Sequence, residues 1–278
     1  MSERPTTTRP EAPARPTGPD RLRQLGVTLS YVLCLVGSAL GVGAFGGTPI
    51  ADAAGGALSA DATHLAPGTG AFSVWSLIYA GLAAYTIFQW LPGQAAAPRQ
   101  RRIGWWVAAS MLLNAGWILV VQAGRLWPSV LVIAVLLVVL ATIFTQLVRV
   151  RGAGALEAVV VDGTLGLYLG WVSVATCANV AAALVAAGFD GLGLAPEVWS
   201  AVVLAVVAAI GVGLAVFGRG RLAPAATIVW GLSWIAVARA TGEPHSVPTA
   251  VAAVLAAVVV TVATVWLRLT RGRNTHRG

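Results

Sequence analysis

The chain has little charge and few residues that bind metals or form disulfides. Only 10% of its 278 residues are charged, and the 18 basic residues are all arginine. A soluble domain usually carries about 25% charged residues, so this chain lacks the polar surface of a water-exposed globule. With two cysteines, three histidines and no CxxC pair, a disulfide scaffold and a zinc finger are excluded.

What the chain has instead is long apolar runs, and 58% of its residues are hydrophobic. A helix needs about 20 apolar residues to cross a bilayer core of about 30 Å. Eight runs have about this length. They are residues 25–45, 71–91, 103–123, 128–148, 164–187, 198–217, 224–240 and 249–268. Because the runs are continuous rather than alternating, they predict an all-α integral membrane protein, a polytopic bundle of eight transmembrane helices.

The arginines predict how these helices are oriented. If the N-terminus lies inside and eight helices cross, only Arg125 and Arg239 of the 18 arginines fall on the outer side. This positive-inside bias requires an even number of spans. It predicts a multi-pass plasma-membrane protein with both termini cytoplasmic. The net positive charge of the chain therefore reflects its membrane topology, and no nucleic-acid partner is expected.

The segments outside the runs are expected to be tails and loops. Residues 1–24 contain five prolines and no apolar period, which predicts a disordered cytoplasmic tail, and 269–278 form a basic cytoplasmic tail. The first run could be a signal peptide cleaved near 51–53, but its length favours a retained helix. The outer loop 46–70 is the longest connection, a length typical of functional or mobile loops.

Two asparagines lie within the predicted spans. Trp117 follows Asn114 by almost one turn, and Trp171, Ala175 and Asn179 are spaced four apart on one helix face. An amide buried in lipid needs hydrogen-bond partners. Interhelical bonds would provide them, but so would a ligand pocket in which amides orient and tryptophans stack. Both interpretations remain open.

The second run begins with Trp75 and Tyr79 on a shared face. These aromatics belong either to an interfacial belt or to the lining of a pocket.

Near the fifth run, Glu157 and Asp162 are five residues apart, about 140° around an α-helix, so they are expected to face different directions in a cytoplasmic lead-in.

The histidines at 64, 245 and 276 lie in loops or the tail, which leaves no haem ligand inside the bundle. No constellation of acid, base and nucleophile is evident, so an enzyme is not the favoured interpretation.

Three of the runs carry a combined pattern of aromatic and amide residues. Its members are Phe72, Trp75 and Tyr79 in the second run, Asn114 and Trp117 in the third, and Tyr168, Trp171, Ala175 and Asn179 in the fifth. In order and placement they resemble the TspO/MBR family, the tryptophan-rich sensory proteins. The resemblance covers about 25–187, with 188–268 adding three helices, as in a longer bacterial branch.

The resemblance implies a five-helix bundle with an internal pocket for a planar hydrophobic ligand such as a porphyrin, another tetrapyrrole, a sterol or a carotenoid. The implied lining is Trp75, Tyr79, Asn114, Trp117, Trp171, Ala175 and Asn179. Its implied partners are the lipid bilayer, that ligand and a second copy in a homodimer. Because loop 46–70 has no tryptophan, porphyrin photodegradation is not implied. The alternative function is transport of a small amphipathic metabolite.

Overall fold

Eight long helices make up most of the molecule. The computed structural model describes residues 15–44, 48–50, 52–150, 152 and 154–274. The helices are α1 (Gly18–Gly41), α2 (Val74–Phe88), α3 (Pro98–Gln122), α4 (Leu126–Arg149), α5 (Thr164–Ala186), α6 (Pro196–Phe217), α7 (Leu222–Thr241) and α8 (Val247–Asn274). Counting the turns that lead into α2 and α5, all eight are long and apolar enough to cross a membrane. No strand occurs in the described ranges, and the predicted fold class is confirmed.

Short helical turns complete the described chain. Three are 3₁₀ turns, at Ala53–Gly56, Thr69–Ser73 and Gly191–Gly193. A further helical lead-in precedes α5 and consists of an α-helical turn, Ala155–Glu157, followed by a π-helical segment, Ala158–Gly163. This lead-in continues directly into α5, so the fifth span begins earlier than its apolar run indicated.

The first helix also begins earlier than its apolar run predicted, at Gly18. The Asp20 carboxylate accepts a hydrogen bond of 2.9 Å from the backbone N–H of Thr17, as in a capping box. Asp20 also accepts two bonds from the Arg101 guanidinium, at 2.7 and 2.6 Å. These bonds extend the helix into the predicted tail, of which residues 1–14 lie outside the described ranges.

The other end of the chain shows a similar extension. Helix α8 continues to Asn274, into the predicted basic tail, and residues 275–278 lie outside the described ranges. The alternative processing site at 51–53 includes Ala51, which is also outside them.

The helices pack in a defined order. Helix α1 packs along α3, α3 along α4, α4 along α5 and α5 along α7, while α6 and α7 both pack on α8. Side-chain bonds show that α1 and α3 run in parallel: Asp20 meets Arg101 at one end, and Gln122 donates to the Leu40 carbonyl at the other. We call the end with Asp20 the terminal face and the opposite end the distal face.

Two apolar clusters form the interior. One joins α1 to α5 and includes Ile78, Met111 and Leu140, and the other joins α5 to α8 and includes Leu204 and Ile228. Many large apolar side chains remain exposed around the outside. An apolar outer surface on helices of this length is the surface that contacts a lipid bilayer.

Helices α5 and α7 approach each other closely and join the two clusters. A side chain at Gly170 would collide with the carbonyl oxygen of Pro224, so the close approach requires glycine. Thr227 donates to the Leu167 carbonyl at 2.7 Å across the same contact.

An ion cluster fixes the start of α5 at the terminal face and overturns one expectation. The Arg99 guanidinium lies 2.9 Å from the Glu157 carboxylate and 2.7 Å from Asp162, so the two carboxylates converge instead of facing apart. The reason is the π-helical segment between them, whose i→i+5 hydrogen bonds bring residues five apart onto one face. Asp162 also pairs with Arg221, which donates to the Leu147 carbonyl at 2.7 Å.

Replacing Arg99 tests the weight of this cluster. Arg99→Gln removes the ion pairs to both carboxylates in a largely buried setting, so we expect a loss of about 3–5 kcal/mol of stability. The control is Arg102→Gln, on an exposed neighbouring position, which should cost less than about 0.5 kcal/mol. Thermal unfolding in detergent measures both. Equal melting temperatures would show that the cluster does not hold the bundle together.

Candidate functional site

The seven residues predicted to line a pocket come together between α2, α3 and α5. Trp75 and Tyr79 come from α2, Asn114 and Trp117 from α3, and Trp171, Ala175 and Asn179 from α5. We call the space they surround the aromatic interior. It lies within the first apolar cluster, in which these aromatics pack against buried residues.

Stacked and edge-on rings form the wall of the aromatic interior. The Trp75 and Tyr79 rings stack with centroids 5.3 Å apart, and Trp75 meets Trp171 edge-on at 6.3 Å. Two further pairs meet edge-on. The Phe72 ring lies 5.9 Å from that of Trp171, and the Tyr168 ring lies 5.7 Å from that of Trp75. These spacings are those of favourable aromatic pairs, so the rings hold one another in place.

The two asparagines bond to neighbouring helices. Asn114 donates to the Tyr79 hydroxyl at 3.0 Å. Asn179 accepts from the Trp117 indole N–H at 2.8 Å and donates to the Ser129 hydroxyl at 3.1 Å. In this conformation both amides therefore act as interhelical bonds, one of the two roles left open by the sequence. Ser129, at the start of α4, is a partner that the sequence did not indicate.

Two small cavities occupy the aromatic interior. Their volumes are about 50 and 30 Å³. Four side chains, those of Phe72, Trp117, Trp171 and Ala175, line both cavities, so the two cavities are adjacent. A ligand site for a small molecule usually has about 300–1,000 Å³. The described conformation is therefore closed, and a large ligand requires movement of part of the wall.

The indole N–H of Trp171 is an unpaired donor at this place. Trp171 is 2% exposed and its Nε1 has no hydrogen-bond partner within the described part of the chain. Buried donors are nearly always paired, because an unpaired one costs about 1–3 kcal/mol. Trp171 also lines both cavities, so this unpaired donor belongs to a side chain in the wall of the aromatic interior.

A segment on the distal face closes the larger cavity. We call residues 52–68 the cover segment, of which Leu58, Thr63 and Pro67 line that cavity. Helix α7 holds this region: Arg239 donates to the Ala60 carbonyl at 2.5 Å, and the Gly68 N–H donates to the Trp234 carbonyl at 3.2 Å. The C-terminal helices therefore take part in closing the aromatic interior.

Arg239 contacts the cover segment in a way that the sequence analysis, which used it only for topology, did not predict. Its side chain is 0% exposed, and it also donates to the Pro244 carbonyl at 3.0 Å. The signal that the sequence offered was its position, because among the described arginines only Arg125 and Arg239 lie on the distal face, and Arg239 is near the end of an apolar run. An arginine in that place is expected to bind backbone carbonyls or an acidic partner.

This architecture and interior define a class, the polytopic α-helical membrane proteins with an aromatic internal site. A family model described as TSPO-like protein matches residues 25–266. The match covers most of the chain, and the chain belongs to this family, whose members are membrane-embedded binding and sensory proteins. The matched range continues past residue 187 and includes α6 to α8. Comparisons with curated proteins and with solved structures give no match.

The interhelical role of Asn179 can be measured. Asn179→Ala leaves the Trp117 N–H without its acceptor and removes the bond to Ser129, so we expect a loss of about 1–2 kcal/mol. The matched control is Thr176→Ala on the same helix, whose hydroxyl bonds only its own helix at the Val172 carbonyl. Unfolding in detergent compares them, and equal stability would argue against an interhelical role.

The hydrogen bond from Arg239 to the Ala60 carbonyl is expected to protect the cover segment from local opening. Arg239→Gln should speed amide hydrogen exchange within the cover segment by about tenfold, because the loop loses a buried anchor. Arg125→Gln, at the exposed arginine of the same face, is the control and should leave exchange unchanged. Unaltered protection in Arg239→Gln would mean that other contacts hold the segment.

Proposed function

We propose that the protein binds a planar hydrophobic ligand in the aromatic interior, as a membrane-embedded binding or sensory protein. The ligand classes are tetrapyrroles, sterols and carotenoids. The observation that carries the proposal is the buried, unpaired N–H of Trp171 among stacked rings. Membership of the TSPO-like family supports it.

Each part of the aromatic interior has a task in this proposal. The faces of Trp75, Trp117 and Trp171 supply stacking area for a flat ring system. The Trp171 N–H donates to a ligand oxygen, which in a porphyrin is a carboxylate and in a sterol a hydroxyl. Ala175 leaves room because its side chain is small, and Tyr79 extends the aromatic wall.

The amides orient the ligand once the interior has opened. Asn114 and Asn179 exchange their present bonds for ligand contacts, so they hold the helices together when the site is empty and the ligand when it is full. Such an exchange keeps buried polar groups satisfied in both states, which avoids the cost of an unpaired amide in an apolar surrounding.

Entry is from the distal face, by displacement of the cover segment. The larger cavity already lies directly beneath Leu58 and Pro67. In this proposal the terminal face is cytoplasmic and the protein lies in the plasma membrane, because Arg125 and Arg239 are the described arginines on the distal face. The ligand therefore reaches the site from the outer side or the outer leaflet.

Quenching of tryptophan fluorescence by protoporphyrin tests the proposal. Wild-type protein in detergent should show saturable quenching, and Trp171→Phe should raise the apparent Kd by about five- to tenfold, because one hydrogen bond is lost. Trp127→Phe, on an exposed tryptophan at the start of α4, is the control for loss of one fluorophore. Ala175→Leu should weaken binding further by filling the space.

The fitted Kd, not the quenching amplitude, is compared, because each tryptophan variant has one emitter fewer. Repeating the titration with a sterol and a carotenoid as competitors identifies the class. Quenching that does not saturate and is equal in all variants would show partitioning into detergent, and the proposal would be wrong.

A further inference from the structure

A second and much larger cavity lies between α5 and α6. Its volume is about 610 Å³, within the range of small-molecule sites. Cys177, Ala181 and Leu184 of α5 form one wall, and Val203 and Val206 of α6 form the other. The space exists because α6 packs mainly along α8 and leaves α5 largely uncovered there.

This cavity is distinct from the aromatic interior. Of the described residues, Thr63 alone lines both this cavity and the larger cavity of the aromatic interior. None of the seven residues proposed to bind the planar ligand faces the second cavity. A ligand there would contact α6, which lies outside the five-helix part.

The shape of the cavity suits an extended chain. Along α6 it extends from Pro196 to Val206, and this length of helix corresponds to about 15 Å. That is about half of a bilayer core of about 30 Å, the depth of one leaflet. Val185 and Val206 are about half exposed, so the cavity opens sideways to the surroundings of the bundle. A lipid-like chain would enter through this opening and lie parallel to the helices.

The rim at the distal face is polar and mainly acidic. Asp190 lies at the cavity, and His64 Nε2 is 3.7 Å from the Glu197 carboxylate. Burial lowers the pKa of His64, although Glu197 opposes the shift, so this imidazole holds a proton less readily than a free histidine does. Arg239 is near, but its buried guanidinium donates to two backbone carbonyls and its charge is opposed by the Asp61 and Glu243 carboxylates. A head group at this rim therefore meets acceptors and negative charge.

From this geometry we propose that the second cavity binds a single-chain amphiphile with a hydroxyl or amino head group. The apolar chain lies between α5 and α6, and the head donates hydrogen bonds to the Asp190 and Glu197 carboxylates at the rim. An amphiphile with a carboxylate head is rejected by the same two groups. The site thus selects among leaflet molecules by head-group charge, and its walls on α5 and α6 hold none of the seven residues proposed to bind the planar ligand.

The native thiol of Cys177 reports whether the cavity is occupied. Cys34 is 0% exposed, whereas Cys177 is partly exposed on the cavity wall. The rate of bimane labelling is measured on the full-length protein in detergent, with Cys177→Ser to show the background. Saturating oleyl alcohol and oleylamine should each slow labelling by roughly tenfold, and oleate should leave it unchanged.

Two kinds of variant test whether protection of Cys177 arises from binding in this cavity. Ala181→Trp fills the cavity and should abolish protection by oleyl alcohol, with Val203→Phe as a second filling variant on the opposite wall. Ala209→Trp, at an exposed position on α6, is the matched control and should keep wild-type protection. Glu197→Gln, on the rim, should allow oleate to protect, because one of the two repelling charges is gone.

The proposal is overturned if oleate protects wild-type protein as well as oleyl alcohol does, if none of the three compounds slows labelling, or if protection survives in both filling variants. Protoporphyrin binding by Ala181→Trp is measured alongside, and wild-type affinity there shows that the two sites are separate. Loss of porphyrin binding in that variant would contradict the separation.

Discussion

The ion pairs of Arg99 are the interactions on which the arrangement of the helices depends. A charged group in an apolar bundle is tolerated only when it is paired, and breaking such a pair costs several kcal/mol. Arg99 of α3 binds the two carboxylates of the lead-in to α5. One of them, Asp162, also forms an ion pair with Arg221 at the start of α7. Helix α7 then reaches the distal face, where Arg239 holds the cover segment. Helix α7 therefore connects the ion cluster at the terminal face to the residue that holds the cover segment over the aromatic interior.

Much of this architecture could be predicted from the sequence, because lipid imposes simple rules. Span length and the lack of alternation predict eight helices, and the four-residue spacing of Trp171, Ala175 and Asn179 predicts their shared face. The partners of the amides could not be predicted. Whether Asn179 bonds Trp117 and Ser129 or a ligand depends on helix rotation and on which helices are neighbours, and helical periodicity specifies neither.

Two further features depend on tertiary contacts that no local pattern reveals. The convergence of Glu157 and Asp162 requires a π-helical segment, and nothing in the composition of Ala158–Gly163 distinguishes it from an α-helix. The cavity between α5 and α6 arises because α6 packs mainly on α8 and makes little contact with α5. The expectation that Glu157 and Asp162 face apart assumed α-helical geometry, and the structure departs from that geometry in this segment.

The π-helical segment also limits how the chain can vary in length. It contains Asp162, which anchors the terminal face, and it continues directly into the helix that carries Trp171, so no loop between Asp162 and Trp171 can absorb a change in length. One residue inserted or deleted there would rotate Trp171 by about 100° relative to its anchor and turn it away from Trp75. Among related chains, gaps in an alignment should therefore accumulate in the distal loops, whereas the spacing from Asp162 to Trp171 should stay constant.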